Sequence, residues 1–224
     1  FEALRTGITV LKDINEEMVK LNRVMSVTNE TLNEMKKSAA ELGVELGQSM
    51  RDTINSMVEW GRQGRSVNET LKLTENALLA SNVAFIEAGE AVDYLTSATL
   101  QFDIEAEKSR EIVDKWNEVA KNYATTAKDL AESIQEGGAA AKTAGVSIDQ
   151  LIGLTTSLSA ATSKSGNRIG NVLKTVFSRM TGRGDSGAKA LGKVESNLNE
   201  VGIALRTSQG EFRNLYDVLQ DLSV

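Results

Sequence analysis

The chain has 224 residues, enough for one or two domains with a buried core. It contains no cysteine and no histidine, which excludes disulfide bonds, thiol nucleophiles, imidazole bases and the commonest zinc ligands. Its formal net charge of -6 argues against attraction of the whole chain to nucleic acid or to anionic membranes.

The first predicted element is a long helix near the N-terminus. Proline is absent from the whole chain, which favours uninterrupted helices, because proline breaks them. Between residues 11 and 35 side chains, all of them apolar except Thr28, recur at alternating intervals of three and four, which keeps one apolar seam along a helix. The seam consists of Leu11, Ile14, Met18, Leu21, Met25, Leu32 and Met35. We therefore assign residues 1–42 to a coiled-coil-like heptad helix.

Two interpretations of this seam are open at the level of sequence. A narrow apolar seam is buried best against a second helix, which predicts self-association between copies of the chain. The same spacing over three to four heptads is also typical of an ordinary amphipathic helix packed on its own domain. The seam residues are therefore candidate self-association contacts and candidate core positions at once.

Two capping boxes mark the starts of later helices. After a weaker helix predicted at about 44–61 and a glycine-containing break, Ser66 stands three residues before Glu69, so a helix is expected to begin directly after this serine. The same pattern returns at Ser147 and Gln150, ahead of a second helix with an apolar face. The two stretches align over a few positions, which suggests two related helical hairpins.

Further helices and one small ribbon are predicted towards the C-terminus. A helix over about 166–181 is expected to end in an exposed, glycine-rich loop at 182–187. Gly202–Arg206 and Glu211–Arg213 flank a turn that contains glycine, which predicts a short β-hairpin. Asn214 then has the residue type that starts a last helix.

Residues 164–193 carry an excess of positive charge in an acidic chain. Only Asp185 opposes the seven cations, which are Lys164, Arg168, Lys174, Arg179, Arg183, Lys189 and Lys193. Such a stretch is a candidate contact surface for the acidic part of a neighbouring copy or for DNA, although the shortage of aromatic residues weakens the nucleic-acid interpretation. An ordinary solvated face is the other interpretation.

Several short motifs occur along the chain in a recognisable order. They are Ser66–Glu69, Gly145–Gln150, Ser165–Met180 and Leu198–Leu222. On these motifs the stretch from about 40 to 222 resembles the core domain of phage tail tape measure proteins. The motifs are patterns of apolar and small residues, and their order over most of the chain carries the likeness. We therefore assign residues 43–224 to a tape measure core helical domain.

The resemblance implies a structural protein of the virion tail lumen that helps to set tail length. Such a protein organises tail tube assembly in the host cytoplasm and is released on genome ejection. The resemblance further implies a homo-oligomer, in particular a trimer, that meets tail tube proteins, tail tip proteins, tail assembly chaperones and, transiently during ejection, the host membrane. Sequence-specific nucleic-acid binding is not expected. Because the chain opens at Phe1 and stops at Val224 behind an apolar stripe, we expect it to be a piece of a longer polypeptide.

The predicted fold is all-α, with a long N-terminal heptad helix, a compact bundle of helical hairpins and a small β-hairpin near the C-terminus. No motif predicts a cofactor, a metal site or a catalytic residue, so we expect a protein that is not an enzyme. Two other functions are open. One is a helical coiled-coil adaptor that binds a protein partner through its methionine-rich seam. The other is a cell-wall lytic domain built on paired carboxylates such as Glu105 and Glu107.

Overall fold

The computed structural model describes residues 2–223, with the side chains of residues 9–183 and 187–223. The helices are α1 (Glu2–Met25), α2 (Asn29–Leu46), α3 (Met50–Arg62), α4 (Val67–Ala84), α5 (Ala88–Phe102), α6 (Ser109–Asn122), α7 (Ala127–Thr143), α8 (Ile148–Thr162), α9 (Gly166–Met180), α10 (Gly184–Glu200) and α11 (Leu215–Asp221). A 3-10 turn at Ala106–Lys108 precedes α6. No strand occurs among the described residues, and the predicted all-α fold is confirmed.

The chain divides into two compact units. Unit 1 comprises Phe1–Thr96 and Glu105–Lys115, and unit 2 comprises Ser97–Ile104 and Trp116–Val224. Helices α5 and α6 each contribute residues to both units. No described helix is both long enough and apolar enough to cross a membrane.

Unit 1 is built around α3. Helices α1, α2 and α4 all pack against α3, and α2 also contacts α4. The core side chains are Ile14, Met18, Leu21, Met35, Ala39, Ile54, Met57 and Val58, none more than 9% exposed. Burying one such large aliphatic side chain contributes about 1.5–3 kcal/mol, so this cluster contributes substantially to the stability of the unit.

The continuous helix predicted across the heptad seam is interrupted. Helix α1 ends at Met25, and the next residue, Ser26, takes a left-handed backbone conformation with a φ of 51°. Thr28, which falls in the register of the seam, instead caps α2, because its hydroxyl accepts the Thr31 N–H at 3.2 Å. The heptad spacing continues across the break because both helices turn their apolar residues towards one core.

Unit 2 is built around α7 and α9, which pack against each other more extensively than any other pair of helices. Helix α8 packs on both of them, and α10 packs on α9. Leu130 and Ile134 of α7, Leu151 of α8 and Phe177 of α9 are fully buried. The side chains that point away from this core along α9 and α10 are therefore presented to solvent or to a partner.

Two predictions for the C-terminal part differ from the structure in extent. The loop expected at 182–187 is shorter, because α10 already begins at Gly184. The expected β-hairpin is reduced to one antiparallel bridge between Arg206 and Phe212. A ribbon this short has no third strand or apolar face to stabilise it.

Candidate protein interaction surfaces

The seven seam residues lie mostly inside unit 1. Ile14, Met18, Leu21 and Met35 belong to its core, and Met25 and Leu32 are partly buried against that core. Leu11 is the exception, because 63% of its surface is exposed. The structure thus brings six of the seven residues together within one chain and leaves Leu11 available at the surface.

Three carboxylates of α7 fix the start of α9. The Gly166 N–H donates to Asp129 Oδ1 at 2.7 Å, and the Asn167 N–H donates to Glu132 Oε2 at 2.9 Å. The Asn167 side-chain amide also donates to Glu136 Oε1 at 3.4 Å. The first amides of a helix have no partner within it, and the positive end of its dipole favours negative charge. The Ser165 side chain makes no capping hydrogen bond, so neighbouring α7 supplies the cap.

Glycines allow α7 and α9 to approach closely. A Cβ atom added at Gly170 would lie 2.8 Å from Ser133 O and 2.9 Å from Ser133 Cα. A Cβ atom added at Gly137 would lie 3.0 Å from the Gly170 carbonyl oxygen. Since the obstructing atoms are mainly backbone, no side-chain rotation would relieve these contacts. The close approach fixes which face of α9 is buried and which face is exposed.

The seven basic residues predicted as a contact surface are all exposed, but they do not form one continuous patch. Lys174 lies beside Glu136 of α7, with 4.0 Å between Nζ and Oε2. The Arg183 guanidinium donates to the Thr143 hydroxyl at 3.1 Å. Lys164 lies in the turn before α9, and Lys189 and Lys193 lie one turn apart on α10.

The two remaining cations share one side of α9. Because successive helical residues turn by about 100°, Arg168, Val172, Thr175 and Arg179 line the side opposite the buried residues Ile169, Leu173 and Phe177. Val172 lies between the two arginines and is 52% exposed. Neither arginine forms an ion pair with any residue whose side chain the structure describes. We call these four residues the basic stripe.

Unit 1 contains an acidic groove that sequence reasoning missed. It lies between α2 and α4, encloses about 370 Å³, and has Leu42 and Leu71 among its lining residues. Glu41, Glu45 and Glu75 also line it, together with Lys72, whose Nζ lies 3.0 Å from Glu75 Oε2. The helical spacing of Glu34, Glu41 and Glu45 could have indicated an acidic side of α2. That this side of α2 lies next to α4 depends on tertiary packing, which the sequence of α2 alone does not show.

A second cluster of carboxylates lies on α3 and α5 of unit 1. Burial raises the pKa of Asp93 above its ordinary value of 3.8, and the nearby Glu59 and Glu90 charges raise it further. Glu59 is balanced in part by Arg62, whose Nη1 donates to Glu59 Oε1 at 2.5 Å. Like charges held together in this way add to the negative potential of unit 1.

Among the described residues no group of three or more Asp or Glu side chains is placed to hold a metal ion. Glu105 forms an ion pair with Lys108, with 3.2 Å between Oε2 and Nζ. Charge of one sign predominates in both the acidic groove and the basic stripe.

Residues 36–224 match the family of phage-related minor tail proteins. Over 216 residues the chain is 21% identical to the tape measure protein of Pneumococcus phage Dp-1, which covers 96% of this chain. The chain spans 18% of the length of that relative. No solved structure matches the chain.

Proposed function

The chain belongs to the family of phage-related minor tail proteins, and from this premise we propose that it is a structural segment of a tape measure protein. In this role it would help to set tail length, organise assembly of the tail tube and be released on genome ejection. The observation that carries the proposal is its likeness to a tape measure protein over 96% of the chain. The order of the capped helical hairpins supports it.

The helix lengths indicate how this segment would act within a longer protein. An α-helix rises about 1.5 Å per residue, so only a continuous helix converts sequence length directly into tail length. The longest described helix, α1, has 24 residues and would span about 36 Å. We therefore propose a folded domain within the tape measure protein, between or beside the rod-like parts that determine length.

The proposed location is the lumen of the virion tail, reached after assembly in the host cytoplasm. The proposed partners are further copies of the same chain, tail tube and tail tip proteins, and tail assembly chaperones, with transient contact with the host membrane during ejection. Homo-oligomerisation, with three copies favoured, belongs to this proposal. The segment would act by binding rather than by catalysis, which its lack of cysteine and histidine supports.

An in-frame deletion in the phage or prophage that encodes the chain tests this function. Removing residues 36–224 should abolish tails or alter their length, as measured by negative-stain electron microscopy of particles from induced cells. A continuous helix of this length would account for roughly 280 Å of tail, whereas a folded domain should change tail length by much less. Tails of normal number, length and infectivity after the deletion would refute a structural role.

A deletion can also fail because it disturbs the folding of the surrounding protein. The matched control is a pair of substitutions that keeps the segment complete, Lys121→Glu and Lys164→Glu, at exposed positions outside the stripe and groove. These variants should assemble normal tails. Loss of tails in this control as well would show that the assay reports general damage rather than loss of the segment.

A further inference from the structure

We propose that the acidic groove of one copy receives the basic stripe of a second copy, which would make α9 the docking element between chains. The inference rests on the proposed function, since that function brings several copies of the chain together in one tail. It adds the partner surface and the residues on both sides of the contact. The two halves of the contact lie in different units, the groove in unit 1 and the stripe in unit 2.

The stripe has the composition of a docking face. Arg168 and Arg179 are eleven residues apart, so about 16 Å of helix axis separates them. Val172 between them exposes half of its surface, and Thr175 completes the same side of α9. The α7 carboxylates that cap α9 hold this side in a fixed orientation. A helix held at its N-terminus keeps the backbone of the two arginines in place, so binding costs conformational freedom mainly in their side chains.

The groove has the complementary composition. Leu42 and Leu71 are only partly buried, so they offer apolar surface that a partner could cover. Glu45 forms no ion pair with any described side chain, and Glu41 has only a weak one, with 3.7 Å to Lys37 Nζ and both groups largely exposed. Covering the leucines with Val172 would therefore bring Arg168 or Arg179 towards carboxylates that are largely unneutralised.

The chemistry of the two surfaces fits in detail. Guanidinium groups bind carboxylates through paired hydrogen bonds, which gives direction as well as attraction. The stripe places one apolar residue between two cations, and the groove combines two apolar residues with three carboxylates, of which Glu75 is paired with Lys72. The contact would thus bury an apolar centre within a charged rim, the usual arrangement of a protein interface.

A second copy explains both surfaces, whereas a nucleic acid would explain only the stripe. The stripe contains no aromatic residue on which a base could stack. The carboxylates of the groove would repel a phosphate backbone. Each copy carries one groove and one stripe, so the contact joins unlike surfaces and would lead to a ring or to an open chain of copies.

Charge reversal tests the contact in the full chain. The double variant Arg168→Glu, Arg179→Glu and the double variant Glu41→Arg, Glu45→Arg should each weaken self-association by at least about tenfold, as measured by sedimentation velocity. An equimolar mixture should regain association, because the unchanged stripe of the groove variant can dock in the unchanged groove of the stripe variant, and the reversed stripe can dock in the reversed groove. Failure of the mixture to associate more strongly than either variant alone would overturn the pairing.

The control reverses the same number of charges nearby. Lys189→Glu with Lys193→Glu lies on α10, outside the stripe, and should change self-association by less than about threefold. An equal loss in this control would show that overall charge, and not α9, governs association, and would overturn the proposal. Circular dichroism should show unchanged helix content in all variants, because every substituted residue is exposed.

Two further measurements begin from the unmodified chain. Association of the unmodified chain should weaken steeply between about 50 mM and 500 mM salt, and a salt-independent association would contradict a contact based on charge. Duplex DNA added to the chain should not bind, and binding that the stripe variant abolishes would instead identify α9 as a nucleic-acid surface. If self-association is absent while the deletion still abolishes tails, the contact fails and the proposed function stands.

Discussion

Two serines determine where α4 and α8 begin, and they do so through the same pair of hydrogen bonds. At α4 the Glu69 N–H donates to the Ser66 hydroxyl at 3.4 Å, and the Ser66 N–H donates to Glu69 Oε2 at 2.9 Å. At α8 the corresponding distances are 3.2 Å and 2.9 Å, with Gln150 in place of the glutamate. Both capping boxes predicted from sequence are confirmed. Only the box at α4 carries a charge.

That difference predicts different responses to pH for two otherwise equivalent substitutions. Hydrogen bonds from the Ser66 hydroxyl and then its N–H hold the pKa of Glu69 below its ordinary value of 4.5. A carboxylate with a lowered pKa stabilises the fold above its unfolded pKa, and this contribution is lost as the pH falls through the lowered value. Ser66→Ala should therefore cost about 1 kcal/mol at neutral pH and less at about pH 3.

Ser147→Ala is the matched control, because Gln150 does not titrate. Its cost, also about 1 kcal/mol, should be the same at both pH values. Urea unfolding of the two variants and the parent chain, followed by circular dichroism, measures the difference. If both substitutions lose their effect equally at low pH, the charge on Glu69 is not the cause.

Two glycines in helix interiors are predicted to respond in opposite ways to the same substitution. At Gly170 an added methyl group would meet the Ser133 backbone, so Gly170→Ala should destabilise the fold by about 1–3 kcal/mol although alanine favours helix. Gly153 in α8 has no neighbour within 4 Å of the added atom, so Gly153→Ala should stabilise by about 0.5–1 kcal/mol. Thermal unfolding measures both, and a stabilising Gly170→Ala would show that α7 and α9 are not closely packed.

At the scale of whole helices, the heptad spacing marks residues that pack into the core of unit 1. Periodicity places Leu21 and Met35 on an apolar side, and the structure buries both completely. It does not reveal the break, because the interval between Met25 and Leu32 fits one helix or two helices that face one core. A threonine at position 28, three residues before Thr31, was the local signal of a new helix start. Self-association through the seam remains a prediction.

Substitutions of two seam leucines distinguish packing within the chain from contact between copies. Leu21 is fully buried in unit 1, so Leu21→Ala should cost about 2–5 kcal/mol in unfolding free energy. Leu11 is 63% exposed, so Leu11→Ala should change stability by no more than about 0.5 kcal/mol. Urea unfolding compares them directly. A large loss at Leu11 would mean that α1 is covered there by another chain, which a parallel sedimentation measurement would reveal.

The elements that sequence predicted best are those with local signals. The helix starts after Ser66, Ser147 and Asn214 are fixed by side chains within three residues, and the structure confirms them. The early start of α10 was missed, since glycine suggested a loop where packing on α9 stabilises a helix. The acidic groove was missed because it combines α2 with α4, and no linear pattern shows which two helices become neighbours.

For the molecule as a whole, the net charge belongs to one unit. Unit 1 contains nineteen acidic and thirteen basic residues, whereas unit 2 contains twelve of each. The cations at 164–193 are therefore balanced by acidic residues elsewhere in unit 2, and unit 1 carries the whole of the -6. We therefore expect unit 1 of one copy to attract the basic stripe of the next, which would steer association as well as stabilise it.

Geometry then decides whether that association stops at a fixed number of copies. A contact between unlike surfaces relates each copy to the next by a fixed rotation. The copies close into a ring only if repeating this rotation leads back to the first copy, which three copies do when the rotation is about 120°. Because the resemblance to tape measure proteins implies a trimer, we predict closure at three, so light scattering coupled to size exclusion should reach a plateau at three times the chain mass of 24.2 kDa as concentration rises. Mass that grows without a plateau would show an open chain instead. A monomer at every concentration would refute both the groove contact and association through Leu11.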